Sequence, residues 1–218
     1  ASALAAPLQL FAQPKSRTAP RIGFLARSSA ASLAPLLDAF RQGLRDLGWV
    51  EGSNIGIEYR YAEGHLDRLP VLAADLVRQK VDVIVTVDTP PTQAAKQATS
   101  TIPIVIAVSA DPVGADLVSS LARPGGNITG LSLLAPETDQ KNLQLVIETL
   151  PKARRVAMIW DPNNRGMTLR LNALQAAAAK LAITFESIAA GGSPGELANA
   201  LSAVAKKPPD VLIVLSPI

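Results

Sequence analysis

Short polar clusters close several apolar runs of this 218-residue chain, and they set hydroxyls, carboxylates and amides at equivalent places. Arg27-Ser28-Ser29 follows Arg21–Ala26, and Asp88-Thr89-Pro90-Pro91 follows Val83–Val87. Ser109-Ala110-Asp111-Pro112 follows Ile104–Val108, and Asp161-Pro162-Asn163-Asn164 follows Val156–Trp160. If such runs are strands of an open parallel sheet, their carboxyl ends are where ligands bind. The clusters offer hydroxyls, carboxylates and amides but no coherent catalytic set, which points to binding before catalysis. Thr89 can cap a helix whose first residue is Pro90, leaving the amides from Thr92 onward for a carboxylate or phosphate. Asp111, at the neighbouring rim, can pair with a ligand ammonium. An anion site beside a carboxylate suits a zwitterion such as an amino acid. The alternative is that Thr89 and Asp111 merely cap their own helices, a task both residue types perform well.

Other motifs dissolve on inspection of their chemistry. Gly191-Gly192-Ser193-Pro194-Gly195 has the G-x-S-x-G spacing of a hydrolase nucleophile elbow. The residue after that nucleophile must donate its backbone N–H to an oxyanion, and Pro194 has none. Ser193 with Glu196 reads instead as a capping box, with Pro194 at the first helical position. His65 is the single histidine, which argues against a His-rich metal site or a Ser–His pair. It reads as a solvated loop residue. Gly125-Gly126-Asn127-Ile128-Thr129-Gly130 lacks a following Lys and precedes a strand, so its glycines serve a turn and not a phosphate loop. No cofactor and no metal are expected.

Composition agrees with a layered α/β molecule. The chain is 48% hydrophobic but only 4% aromatic and 18% charged. A net charge of +3 without a Lys/Arg run does not suggest nucleic acid. The absence of cysteine excludes disulfides and thiolate metal sites. Ala1–Ala12 is apolar and too short to span a bilayer; it reads as the tail of a secretory signal cleaved near Ala12–Gln13, with a frayed Ala-rich arm as the alternative. Residues 1–20 are therefore expected to be signal remnant and disordered leader, and the mature protein to be periplasmic.

Strands are expected at Arg21–Ala26, Asn54–Tyr61, Val81–Val87, Ile102–Val108 and from Ile128 to about Leu133, each followed or preceded by segments of helical period. A helix bearing Leu33, Leu36, Leu37, Phe40, Leu44 and Leu47 on one face is stopped by Gly48. Further helices are expected over Leu66–Gln79, Pro91–Thr99 and, rich in turns, around Val113–Leu121. After Pro136 the pattern begins afresh: helix Glu137–Leu150, strand Arg155–Trp160, helix Asn164–Leu181, strand Ile183–Ala189, helix Pro194–Lys206 and strand Asp210–Leu215. This gives an N-terminal α/β lobe over 21–134 and a partial second lobe over 135–218. A parallel strand followed at once by Ser216-Pro217-Ile218 lacks a covering helix, so the second lobe is expected to be truncated at its C-terminal end.

The series Phe40-Arg41-Gln42-Gly43-Leu44-Arg45-Asp46-Leu47-Gly48-Trp49-Val50-Glu51-Gly52 and Asn54-Ile55-Gly56-Ile57-Glu58-Tyr59-Arg60 resembles ABC-transporter substrate-binding proteins related to the tryptophan-binding type. Asp88–Gln93, Ile102-Pro103-Ile104-Val105, Ala110–Ala115 and Arg123–Gly130 continue the resemblance in order, from about Arg21 to the C-terminus. Pro91 and Thr92 depart from the small residues of that pattern. The resemblance implies a periplasmic-binding-protein type I fold: two Rossmann-like lobes with parallel sheets, joined by a hinge, with ligand in the cleft. It implies cleft residues at Ser28, Ser29, Asp88, Thr89, Ser109, Asp111, Asp161, Asn164 and Ser216. It also implies delivery of a small, amino-acid-like solute to an ABC permease and its ATPase, with no enzymatic step. The alternative function on the same fold is the ligand-sensing domain of a regulator or receptor.

Overall fold

The structure, a computed structural model, describes residues 19–191 and 193–215. Five strands form the first sheet: β1 (Arg21–Ala26), β2 (Gly56–Tyr61), β3 (Val83–Val87), β4 (Ile104–Val108) and β5 (Ile128–Gly130). They lie in the order β2-β1-β3-β4-β5, and all four pairings are parallel. Three strands form the second: β6 (Arg155–Trp160), β7 (Thr184–Ala189) and β8 (Val211–Val214), ordered β7-β6-β8 and again parallel. Parallel strands need crossovers, and helices supply all but the β4–β5 one: α1 (Ala34–Asp46), α2 (Leu69–Arg78) and α3 (Thr89–Ala98) in the first sheet and α5 (Arg165–Lys180) and α6 (Pro194–Lys206) in the second, with α4 (Ala135–Thr149) between the sheets. None of these helices is long and apolar enough to cross a membrane.

Both faces of the first sheet are covered, which is why its central strands are apolar almost throughout. Ile22, Phe24 and Ala26 point to one side, against Leu33 and Leu37 of the first crossover and Val85 and Val87 of β3. Leu25, Ile84, Ile104 and Ile106 point to the other, against Leu69, Ala73 and Leu76 of α2 and Ala94 and Ala95 of α3. The second sheet repeats the plan. Val156 and Met158 pack on Leu143 of α4 and on Leu171 and Leu174 of α5, while Ile159 turns towards Ala200 of α6. Asp139 and Arg170 clamp α4 to α5 through paired bonds of 2.6 and 2.9 Å.

Four local expectations change. Leu36 and Leu47, expected on the face that carries Leu33 and Leu37, are exposed, because they lie off the stripe that meets β1. No helix forms around Val113–Leu121; the chain makes successive turns there, because Gly114 and Asp116, the latter at φ 56°, do not propagate a helix. β5 ends at Gly130 and not near Leu133. Gly130 sits at φ 146°, where any Cβ would collide with the Ile106 backbone, and Leu131 N–H then donates to Ile106 O at 3.0 Å. α4 begins at Ala135 and not at Glu137, with Leu134 as its N-cap residue in the left-handed region at φ 47°. The crossing segment stays tied to the rim of the first sheet: Leu133 N–H donates to Ser109 O and Ala135 N–H to Ala110 O, both at 2.9 Å.

Candidate functional site

The carboxyl ends of both sheets face one another, so residues that follow strands in different lobes meet. Arg27 leaves β1 and is only 6% exposed. Its Nη2 donates to Asp161 Oδ2, just after β6, at 2.9 Å, and its Nη1 lies 3.7 Å from Asp88 Oδ2, just after β3. Asn164, the N-cap of α5, donates through Nδ2 to Asp88 Oδ2 at 2.8 Å and accepts from Gly166 N–H through Oδ1 at 2.9 Å. Asp161 Oδ1 accepts from Asn163 N–H at 2.9 Å. Thus one guanidinium and two carboxylates, all largely dry, join the lobes. Ion pairs this buried are strongly directional, because unpairing either member strands a charge away from water.

Asp88 is strained as well as buried. Its backbone sits at φ 78°, ψ 168°, a region that only glycine adopts freely. Burial pushes its carboxyl above the ordinary value, with Asp161 adding to the rise; the Thr89 N–H, Arg27 and Asn164 work against it. This residue, and not Thr89, is the N-cap of α3: its Oδ1 accepts from Thr89 N–H at 2.7 Å. The cap expected at Thr89 is therefore corrected to Asp88. The Thr89 amide is taken by Asp88, and Pro90 and Pro91 have no N–H, so the first three helical positions present no free donor. Thr89 Oγ1 instead lies 3.2 Å from Ser109 Oγ, and Thr92 Oγ1 donates to Asp88 O at 2.8 Å.

Two regions of the interlobe space differ in character. Near Thr89 the lobes touch: a Cβ on Gly166 would come within 2.8 Å of Thr89 Oγ1 and 3.3 Å of Ala110 Cβ. On the other side of the Arg27–Asp161 pair the lobes enclose a cavity of about 660 Å³. Arg27, Ser28, Ser29 and Glu63 line it from the first lobe, and Trp160, Asp161 and Ser193 from the second. Of the residues expected in the cleft, Ser28, Ser29 and Asp161 line this cavity. Asp88, Thr89, Ser109 and Asn164 are buried in the contact beside it. Asp111 does not line the cavity; its Oδ1 accepts from Val113 N–H at 3.1 Å and Gly114 N–H at 2.9 Å within its own turn. Ser216 falls outside the described residues.

Arg27, Glu63, Trp160 and Ser193 are the site residues that the sequence reading did not select. A cation directly ending an apolar strand was the available signal for Arg27. Ser193 was read only as a cap, and that reading holds: its Oγ accepts from Glu196 N–H at 3.2 Å, and the Glu196 carboxylate returns to Ser193 N–H.

Comparison with known proteins places this geometry. A family described as "ABC transporter substrate binding protein" matches residues 22–217. A tyrosine-binding protein of Clostridioides difficile is 33% identical over 193 residues, covering 84% of this chain and 55% of that protein. A conserved domain protein from Vibrio cholerae O1 biovar El Tor superposes with a TM-score of 0.82 at 31% identity, over 89% of this chain and 64% of its own. An ABC domain from Streptococcus pneumonia, solved in complex with L-Trp, gives a TM-score of 0.79 at 26% identity, over 91% of this chain and 65% of its own. The chain thus spans about half the length of its curated relative and just under two thirds of these solved chains. Its two Rossmann-like lobes have the type I periplasmic-binding-protein architecture. The chain belongs to the family of ABC transporter substrate-binding proteins.

Proposed function

We propose that this chain is the solute-capturing part of an extracytoplasmic ABC importer, taking a small, amino-acid-like molecule between its lobes without transforming it. The observation that carries this reading is the cavity of about 660 Å³ at the facing carboxyl ends of the two sheets. That volume is of the size that encloses a small ligand. A solute there contacts Ser28, Ser29 and Glu63 from one lobe and Trp160 and Asp161 from the other. Contact with both lobes is what allows a ligand to favour the closed form. Hydroxyls and carboxylates suit an ammonium and neutral polar groups, and the half-buried Trp160 offers a face to an apolar side chain. The relatives named for tyrosine and solved with L-Trp support the amino-acid class.

In this reading the lobes divide at Leu134–Ala135, Asp88, Thr89, Ser109 and Asn164 build the wall behind the solute, and Asp111 shapes its own turn. Ser216 keeps the place that the resemblance gives it. The closed form is presented to a permease and its ATPase from the periplasm. Isothermal titration of the full-length protein with L-tyrosine and L-tryptophan tests the solute class, and native mass spectrometry of protein purified from the periplasm tests for an endogenous solute. A retained small-molecule mass, or saturable binding of either amino acid, is expected. A protein that is cytoplasmic, carries no solute and binds neither would overturn the proposal.

A further inference from the structure

Arg27 has two carboxylate partners, and they belong to different lobes. Asp161, at 2.9 Å, moves with β6, whereas Asp88, at 3.7 Å, stays with β3 beside Arg27's own strand. Nη1, the nitrogen nearer Asp88, is buried and has no hydrogen-bond partner among the described residues. What prevents Asp88 from drawing closer is visible in its other contacts: Oδ1 is held by Thr89 N–H and Oδ2 by Asn164 Nδ2. Asn164 belongs to the second lobe, so parting the lobes removes Asp161 from Arg27 and Asn164 from Asp88 in the same movement. The freed Asp88 Oδ2 and the orphaned Nη1 then face each other within the first lobe.

We infer that Arg27 is a two-position switch for lobe closure, paired with Asp161 when the lobes are shut and with Asp88 when they part. Each position leaves the guanidinium beside a carboxylate, so Arg27 is not stranded in either form. Closed and open forms are then close enough in free energy for the closed form to be populated without solute, and a modest preference of solute for one of them shifts the balance. The inference goes beyond the solute-capture reading and uses only its two-lobed movement. Arg27 is on this account a positioning residue; its effect on affinity acts through the closed fraction.

The chain has no cysteine, so spin labels can be placed singly in each lobe, at Asp38→Cys and Lys180→Cys, both exposed. Inter-label distances are measured on full-length protein without solute. Wild type is expected to show a closed population. Asp161→Asn and Asp161→Ala, which remove only the closed-form pair, are each expected to lower the closed-to-open ratio by roughly 30-fold, and Arg27→Gln, which removes the pairs of both forms, to move it less. Thermal melts identify any Asp161 variant that fails to fold, in which case the other decides. A wild type that is open without solute overturns the inference with no variant needed, as does a folded Asp161 variant that stays closed. Titration with L-tyrosine and L-tryptophan is read separately. Absent binding with the switch intact counts against the receptor reading alone.

Discussion

Asn164 Nδ2 donates to Asp88 Oδ2 at 2.8 Å, joining the N-caps of two helices that lie 76 residues apart and in different lobes. Each residue caps its own helix with one oxygen and reaches across with its remaining polar atom. Two ordinary capping positions thereby become an interlobe contact, with Arg27 alongside.

Asp88 holds this contact at a cost in backbone strain, and substitutions separate the two contributions. Asp88→Ala leaves Asn164 Nδ2, Thr89 N–H and the buried Arg27 short of a partner, a loss of about 3–5 kcal/mol in stability. Asp88→Gly loses the same partners but relaxes at φ 78°. The glycine variant is expected to be more stable than the alanine variant by about 1–3 kcal/mol in denaturant melts. Equal midpoints would mean that Asp88 carries no strain.

The same residue sets an unusual dependence on pH. Burial raises the Asp88 pKa, so the folded state binds more protons than the unfolded state between the two values, and stability falls as pH rises through that window. Asp210 has the opposite sign. The amides of Arg154 and Arg155 lower its pKa, so its contribution is complete above the unfolded value and lost as pH falls. Both windows border the ordinary aspartate value near pH 4. Stability measured across that range is expected to lose a downward slope with pH in Asp88→Asn and an upward slope in Asp210→Asn. Slopes unchanged from wild type in both variants would contradict this account.

Much of the scaffold was legible because a strand covered on both faces must be apolar along its length, as Val83–Val87 and Ile104–Val108 are. The helices announced themselves by period, and Ser193 with Glu196 by the spacing of a capping box. The site was legible only by rim. Ser28, Ser29 and Asp161 could be found from their place after strands, but a pairing between residues 134 apart leaves no local pattern, and Arg27 read as one more polar residue in a loop. Asp88 was obscure for a different reason. Nothing in its neighbourhood signals a positive φ, which sequence reasoning reserves for glycine or for the turn types that accept Asn and Asp. The cap of α3 was misplaced by one residue because Asp88 and Thr89 are both good capping types, and their order along the chain does not say whose oxygen accepts the first helical amide.

Asp111 offers a test between a ligand partner and a turn-former. Its Oδ1 already accepts two backbone amides, those of Val113 and Gly114. Asp111→Ala is expected to cost about 1 kcal/mol of stability, and Asp111→Asn much less, since Asn performs the same task. Neither change is expected to alter the affinity for L-tyrosine or L-tryptophan measured by calorimetry. A tenfold or larger loss of affinity in Asp111→Asn, with stability intact, would return Asp111 to the solute site.

Closure also depends on a residue with no charge at all. Gly166 lies in the first turn of α5, where an added Cβ would stand 2.8 Å from Thr89 Oγ1, 3.1 Å from Asn164 Oδ1 and 3.3 Å from Ala110 Cβ. Thr89 and Ala110 belong to the opposite lobe, so the crowding against them exists only when the lobes are shut, and only that against Asn164 persists when they part. A side chain at 166 therefore acts chiefly on the closed form, in contrast to a core substitution, which would weaken both. Gly166→Val is expected to shift the distances between labels at positions 38 and 180 towards the open form. Its melting temperature without solute should stay near that of wild type, because the second lobe keeps its own core of Val156, Met158, Leu171 and Leu174. Apparent affinity should fall in proportion to the lost closed fraction, since solute must first bring the lobes together. Gly166→Ala should give a smaller effect in the same direction. If Gly166→Val melted well below wild type while retaining a closed population, the close approach at Thr89 would be a matter of folding and not of closure.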